Sequence, residues 1–228
     1  MVVFLFTFPE RRAERAGRLT EKMAGAGLGK FSRLYDELYQ SAFRLLRTFR
    51  PVRERVTIGE YNDHVEREHI ARYEFAKAFC AGRTVADIAC GTGYGTRMLA
   101  QVASLVHGYD KEPLCDNRLI DLENEAWADS YDVIVSFETI EHLANPEFFL
   151  QTAFRTARLL IISTPISEFK GYNPHHKQVW TLDQFQALLE KYFTCMYYYQ
   201  VKESIEDRPN GPVRFVIAVG APVALPSG

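Results

Sequence analysis

Beyond residue 84 the hydrophobic pattern switches repeatedly between short β-branched runs and segments whose apolar residues return every three or four positions. The runs predict strands over Thr84–Cys90, Ser104–Asp110, Asn117–Glu123, Tyr131–Glu138 and Arg158–Pro165. Between them, helices are expected over Gly93–Ala103, from an Asn145 cap through Ala157, and over Thr181–Phe193 with Thr181 as the cap. Thr194–Lys202 and Val213–Gly220 read as two further strands around the turn-like stretch Asp207–Pro212. With no helix between them, they should pair antiparallel at one edge. Alternation of this kind implies a mostly parallel sheet, right-handed crossovers and helices on both faces. Upstream, Phe31, Leu34, Tyr35, Leu38, Tyr39, Ala42, Phe43, Leu46 and Phe49 form an apolar stripe on a helix that Pro51 closes. Such a stripe suits a core or dimer contact better than a ligand site. Asn62 or Asp63 could cap a second helix reaching about Ala81.

The 228 residues suit one domain with additions: a helical extension or lid at 1–62, an α/β domain at 63–222 and a tail at 223–228. A hydrophobic content of 47% is enough for a sizeable core. The net charge of −2 gives no global attraction to nucleic acid or acidic membranes. It is uneven, because residues 1–58 hold 12 Lys and Arg against 6 Asp and Glu. That basic arm is either a solvated surface or a contact for an anionic partner. Cys80, Cys90, Cys115 and Cys195 lack metal-knuckle or redox spacing, so reduced thiols in a cytoplasmic protein are expected. The apolar run Met1–Phe8 is too short to be a transmembrane segment.

The first strand of the alternating region ends in Asp87-Ile88-Ala89-Cys90-Gly91-Thr92-Gly93-Tyr94-Gly95. Glycines after a strand and before a helix let the backbone turn tightly and let a ligand approach it. The second strand ends at Asp110, where a carboxylate can accept bonds from both hydroxyls of a ribose. The third ends near Asp121-Leu122, where an acid can meet the amine of adenine. A nicotinamide dinucleotide would want a G-x-G-x-x-G order, and glycines at 91, 93 and 95 do not supply it.

The run Asp87 to Gly95 resembles motif I of class I S-adenosylmethionine-dependent methyltransferases. Ser136-Phe137-Glu138-Thr139-Ile140-Glu141-His142-Leu143 is similar to the motif after the fourth strand in that superfamily's small-molecule and glycan O-methyltransferase branch. The likeness runs from about His69 to Gly220. It implies a Rossmann-like, seven-stranded sheet with an antiparallel last strand. It places Asp87, Ala89, Gly91, Gly93 and Tyr94 around the methionine end of S-adenosylmethionine, Asp110 on the ribose, and Lys111, Asp121, Leu122 and Phe137 among the remaining cofactor contacts. His69-Ile70-Ala71-Arg72-Tyr73 resembles a helix that closes over the cofactor, so Arg72 could pair with its carboxylate. Two departures stand out. Ala89 replaces a common glycine, and the stretch from Asp110 to Tyr131 is too short for the usual helix.

Methyl transfer to a hydroxyl needs an oriented nucleophile, exclusion of water and removal of a proton. Glu138, Glu141 and His142 follow the fourth strand at a spacing that suits one face of a helical turn. His175 and His176 lie in the loop Asn173–Thr181 before the last helix. His142 or His176 could be the general base, with Glu138 beside them. Alternatively, Glu138, Glu141, His142 and His176 could hold Mg2+ or another divalent metal. That spacing resembles the small-RNA 2′-O-methyltransferases, and its Glu-x-x-Glu-His part resembles some quinone-ring O-methyltransferases. A third reading is structural, with Glu141-His142 framing the pocket. The expected acceptor is a small molecule or a sugar of a glycan precursor. Tyr35, Tyr39, Tyr61 and Trp180 are candidate wall residues, and the N-terminal helices a candidate homodimer contact. RNA as acceptor and a non-catalytic cofactor-binding scaffold remain the alternatives.

Overall fold

The computed structural model describes residues 63–166, 173–209, 211 and 213–224. The stripe at 31–49, Tyr35, Tyr39, Tyr61 and the basic arm lie outside them. Chain order is α1 (Asp63–Cys80), β1 (Thr84–Ile88), α2 (Tyr94–Leu99), β2 (Leu105–Asp110), β3 (Arg118–Leu119), β4 (Tyr131–Phe137), a 3-10 turn (Ile140–His142), α3 (Pro146–Thr156), β5 (Ala157–Pro165), α4 (Leu182–Leu189), β6 (Phe193–Val201), β7 (Ser204–Glu206) and β8 (Phe215–Pro222).

The strands form one sheet in the order β3-β2-β1-β4-β5-β8-β6-β7. Pairs from β3 to β5 are parallel, and β8 runs antiparallel to both β5 and β6. Strand order reverses between β1 and β4, so a crevice opens beyond their C-terminal ends. Period-two alternation divides the core between the two faces. Ile134 of β4 joins Phe149 and Leu150 of α3 and Phe185 of α4. Its neighbours Val133 and Val135 face Tyr73 and Ala76 of α1 and Leu99 of α2. The result is a three-layer sandwich, in which each fully buried Val or Ile contributes about 1.5–3 kcal/mol.

Helix starts agree with the sequence, as do the ends of α1 and α3, whereas α2 and α4 stop short of their expected ends. The Asn145 side chain accepts from Phe148 N–H, and Thr181 forms a capping box with Gln184. Helix α2 is shorter than expected. Gly93 stands at φ 73, outside helical space, and Val102 N–H turns back to Leu99 O at 3.1 Å. The sheet has eight strands rather than seven because Lys202, at φ 57, turns the chain into the short edge strand β7. The β6/β8 pair therefore lies one strand inside that edge.

The third strand is only Arg118–Leu119, since Asp121 O accepts from both Asn124 and Glu125 N–H and ends it in a turn. No helix joins β2 to β4 among the described residues. Trp127 anchors the connection instead, buried in the core with its Nε1 donating to Thr156 at 2.8 Å.

Candidate active site

The loop after β1 is built from left-handed residues: Ala89 at φ 61, Gly91 at φ 55 and Gly93 at φ 73. Ala89, the departure from the common glycine, thus carries a left-handed penalty of about 1–2 kcal/mol. Two carboxylates hold the loop. Asp110 is buried at the end of β2, and its oxygens accept from Gly91 N–H at 2.9 Å and Glu112 N–H at 3.2 Å. Asp87 is buried at the end of β1 and accepts from Thr96 Oγ1 at 2.6 Å and from the Tyr73 hydroxyl at 3.1 Å. Burial raises the Asp87 carboxyl to about 6, against the pull of those two bonds.

Helix α1 closes this loop from the other side. A Cβ built on Gly95 would lie 2.0 Å from a Tyr73 ring carbon. Gly95 therefore serves helix packing, whereas Ala89, Gly91 and Gly93 shape the loop. Tyr73 meets Phe137, at the end of β4, edge-on at 5.0 Å, and Tyr94 at 5.4 Å. His69 Nδ1 lies 3.0 Å from the Tyr94 hydroxyl. Burial and, next, the Arg72 charge hold that imidazole well below the usual histidine range.

Arg72 is fully buried, with Nη1 donating to Gln200 Oε1 at 2.6 Å and its guanidinium 4.5 Å above the Phe215 ring. Its Nε and Nη2 have no hydrogen-bond partner among the described residues. A buried guanidinium edge with no partner among the described residues fits an anion.

Other expected contacts are dispersed. The Asp121 carboxylate is exposed and accepts from Glu123 N–H at 3.1 Å and Asn124 Nδ2 at 2.7 Å within its own turn. It thus lies at the rim, tied to local structure. Leu122 packs half-buried on the core, and Lys111 is exposed.

After β4, Glu138 departs from the helical face its spacing suggested. It stands at φ 52 before the 3-10 turn and accepts from Ser163 Oγ at 2.8 Å. Glu141, His142 and His176 do converge, with their ligand-type atoms within 4.8 Å of one another. The loop before α4 docks through Lys177 and Gln178 N–H, both donating to Glu141 O. Glu141 is buried and accepts from Thr164 Oγ1 at 3.1 Å. The rings of His142 and His176 meet edge to face at 4.8 Å.

Hydrogen bonding assigns both tautomers. His142 Nδ1 is 3.1 Å from His175 O, which can only accept, so His142 carries its proton there and its lone pair on Nε2. Asn173 Oδ1 accepts from His175 N–H at 3.0 Å, so its amide nitrogen donates to His176 Nε2 at 2.9 Å. Trp180 is half-buried and packs on the core cluster, a bridge away from Ile166.

Tyr73, Thr96, Gln200 and Phe215 were not singled out in the sequence. Gln200 left one sign, a lone amide directly after the aromatic run Tyr197–Tyr199 of a strand. The others look like ordinary core or helix residues.

The sequence model of a family described as a methyltransferase domain matches residues 60–207. A probable S-adenosylmethionine-dependent methyltransferase of Mycolicibacterium smegmatis is 32% identical over 145 residues, 54% of this chain and 56% of that protein. A ubiquinone biosynthesis O-methyltransferase of a Methylobacterium is 28% identical over 149 residues, 58% of each chain. The chain thus spans little more than half the length of these curated relatives. Among solved structures, a TehB-like S-adenosylmethionine-dependent methyltransferase from Corynebacterium glutamicum superposes with TM-score 0.56 at 18% identity, covering 84% of this chain and 100% of that one. The small RNA methyltransferase HEN1 superposes at 0.55 and 18% identity, over 77% of this chain and 27% of that one. At these identities the structural likeness speaks for the fold.

Proposed function

The chain belongs to this methyltransferase-domain family of the class I superfamily, and from that premise we propose that it uses S-adenosylmethionine to methylate a hydroxyl of a small molecule or sugar. The observation that carries the reading is the left-handed loop Ala89–Gly93 closed onto Asp110 at the switch point of the sheet. The donor supplies a methyl carbon activated by its sulfonium. Asp87, Ala89, Gly91, Gly93 and Tyr94 line its amino-acid end, Arg72 binds its carboxylate, Asp110 holds the ribose, and Phe137 walls the methyl-bearing side. Tyr73 and α1 exclude water from above.

His142 is the general base, because its Nε2 carries a lone pair while a carbonyl holds its Nδ1 proton. Asn173 engages the corresponding atom of His176, which suits a supporting role. The ubiquinone biosynthesis O-methyltransferase relatives favour an oxygen acceptor. Convergence of Glu141, His142 and His176 supports a second reading, in which these three hold a divalent cation that polarises the acceptor hydroxyl. Glu138, bonded to Ser163, is a poorer ligand in that arrangement.

The test is transfer of a labelled methyl group to a panel of catechol, sugar and RNA acceptors, with and without chelator. A metal-free base predicts activity that survives chelation and falls about 100-fold or more in His142→Ala. Activity lost on chelation and restored by magnesium or manganese favours the second reading. Transfer to RNA alone overturns the acceptor assignment.

A further inference from the structure

The guanidinium of Arg72 is removed from water, and no carboxylate among the described residues forms an ion pair with it. Such a group is costly unless something completes its surroundings. The acid one turn before it on α1, Glu68, is itself buried and already engaged by His64 Nε2 at 3.2 Å and Arg214 Nη1 at 3.3 Å.

What does hold Arg72 is neutral. Gln200 Oε1 accepts from Nη1, while Gln200 Nε2 donates to Glu68 O at 2.9 Å. A guanidinium can only donate and a carbonyl can only accept, so the amide has one possible orientation. Phe215, paired with Gln200 across β6 and β8, presents its ring face to the cation. The two nitrogens without partners among the described residues, Nε and Nη2, lie on the same edge of the guanidinium. That edge matches the two oxygens of a carboxylate.

We propose that Gln200 and Phe215 are a positioning pair that holds Arg72 as an un-neutralised cation, its Nε/Nη2 edge set to clamp the carboxylate of the methyl donor. The proposal rests on the donor assignment above. It adds that the far half of the sheet governs donor affinity, and that an amide rather than an acid at residue 200 is what keeps the subsite charged. A carboxylate at residue 200 could still accept from Nη1, but it would occupy Arg72 electrostatically and repel the donor's own carboxylate.

The test compares two probes by calorimetry on the full chain. S-adenosylhomocysteine carries the amino-acid carboxylate, and 5′-methylthioadenosine is the same nucleoside thioether without it. Gln200→Glu should weaken S-adenosylhomocysteine about tenfold or more and change methylthioadenosine less than about twofold. Gln200→Met, which loses both hydrogen bonds but adds no charge, should weaken S-adenosylhomocysteine only about threefold. A purely structural role predicts the reverse ranking, or a parallel loss of both probes, and either result overturns the proposal. So does a Gln200→Glu protein that binds S-adenosylhomocysteine as the wild type does. Should Gln200→Glu fail to fold, Arg72→Met decides. It should abolish the preference for S-adenosylhomocysteine over methylthioadenosine while raising the melting temperature, and a retained preference overturns the proposal. Wild-type protein that binds neither probe would instead overturn the donor assignment itself.

Discussion

Gly95→Ala sets two physical effects against each other, and their signs differ. Gly95 lies within α2, where replacing glycine by alanine ordinarily stabilises by about 0.5–1 kcal/mol. Packing predicts the opposite. The added Cβ would stand 2.0, 2.2 and 2.4 Å from three Tyr73 ring carbons. Carbon pairs settle at about 3.5–4.0 Å, so the ring must retreat by more than about 1 Å.

It has little room to do so, with Phe137 and Tyr94 against it and its hydroxyl 3.1 Å from Asp87. Overpacking costs about 1–3 kcal/mol, and loss of a hydrogen bond to a charged group about 1.5–3 kcal/mol. Together these outweigh helix propensity and leave a net loss of roughly 3–4 kcal/mol, or about 10 °C in melting temperature for a domain of this size. Thermal melts by circular dichroism read the effect directly. Gly82→Ala is the control, since Gly82 at φ 69 has no atom within 4 Å of a built Cβ and bears the left-handed penalty alone. Adding Tyr73→Leu to Gly95→Ala should cost far less than the two single changes summed. A Gly95→Ala protein that melts at or above the wild-type temperature would refute the packing argument.

The other consequences concern the same loop. Ala89→Gly should stabilise the protein by about 1 kcal/mol, because glycine accepts φ 61 without the Cβ penalty; denaturant midpoints will show it. Asp87 has an ordinary value of 3.8 and titrates near 6 in the fold, so its contribution to stability is full below 3.8 and is lost as pH rises through 6, by about 3 kcal/mol at most. Denaturation from about pH 8 to about pH 5 should therefore favour wild type increasingly over Asp87→Asn as pH falls, whereas parallel curves would contradict the assignment.

Much of this site could be read from the chain because it depends on local rules. Strands ending at Ile88, Asp110 and Phe137 fall within two residues of where the apolar runs stop. Asn145 and Thr181 announce helices by cap chemistry that needs only neighbouring residues. The ends of α2 and α4 were less legible, since the geometry that stops them comes from turns that pairing and packing impose. The spacing of Glu138, Glu141 and His142 suggested a shared face, but the left-handed backbone at Glu138 removes it from that face. Asp121 looked like a strand-end acid until a turn claimed its carboxylate. Gln200 and Phe215 lie more than a hundred residues beyond Arg72, and only strand pairing brings them to it. No local pattern encodes that meeting.

The central claim is that the loop from Ala89 to Gly93, fastened by Asp110, is the seat of the methyl donor. Titrating purified protein with S-adenosylhomocysteine tests it most directly. One equivalent should bind to the wild type, and Asp110→Ala should lose affinity by about 100-fold as the ribose contact and the Gly91 anchor disappear together. A folded wild-type protein that takes up none of the nucleotide, or an Asp110→Ala variant that binds it undiminished, would contradict the account.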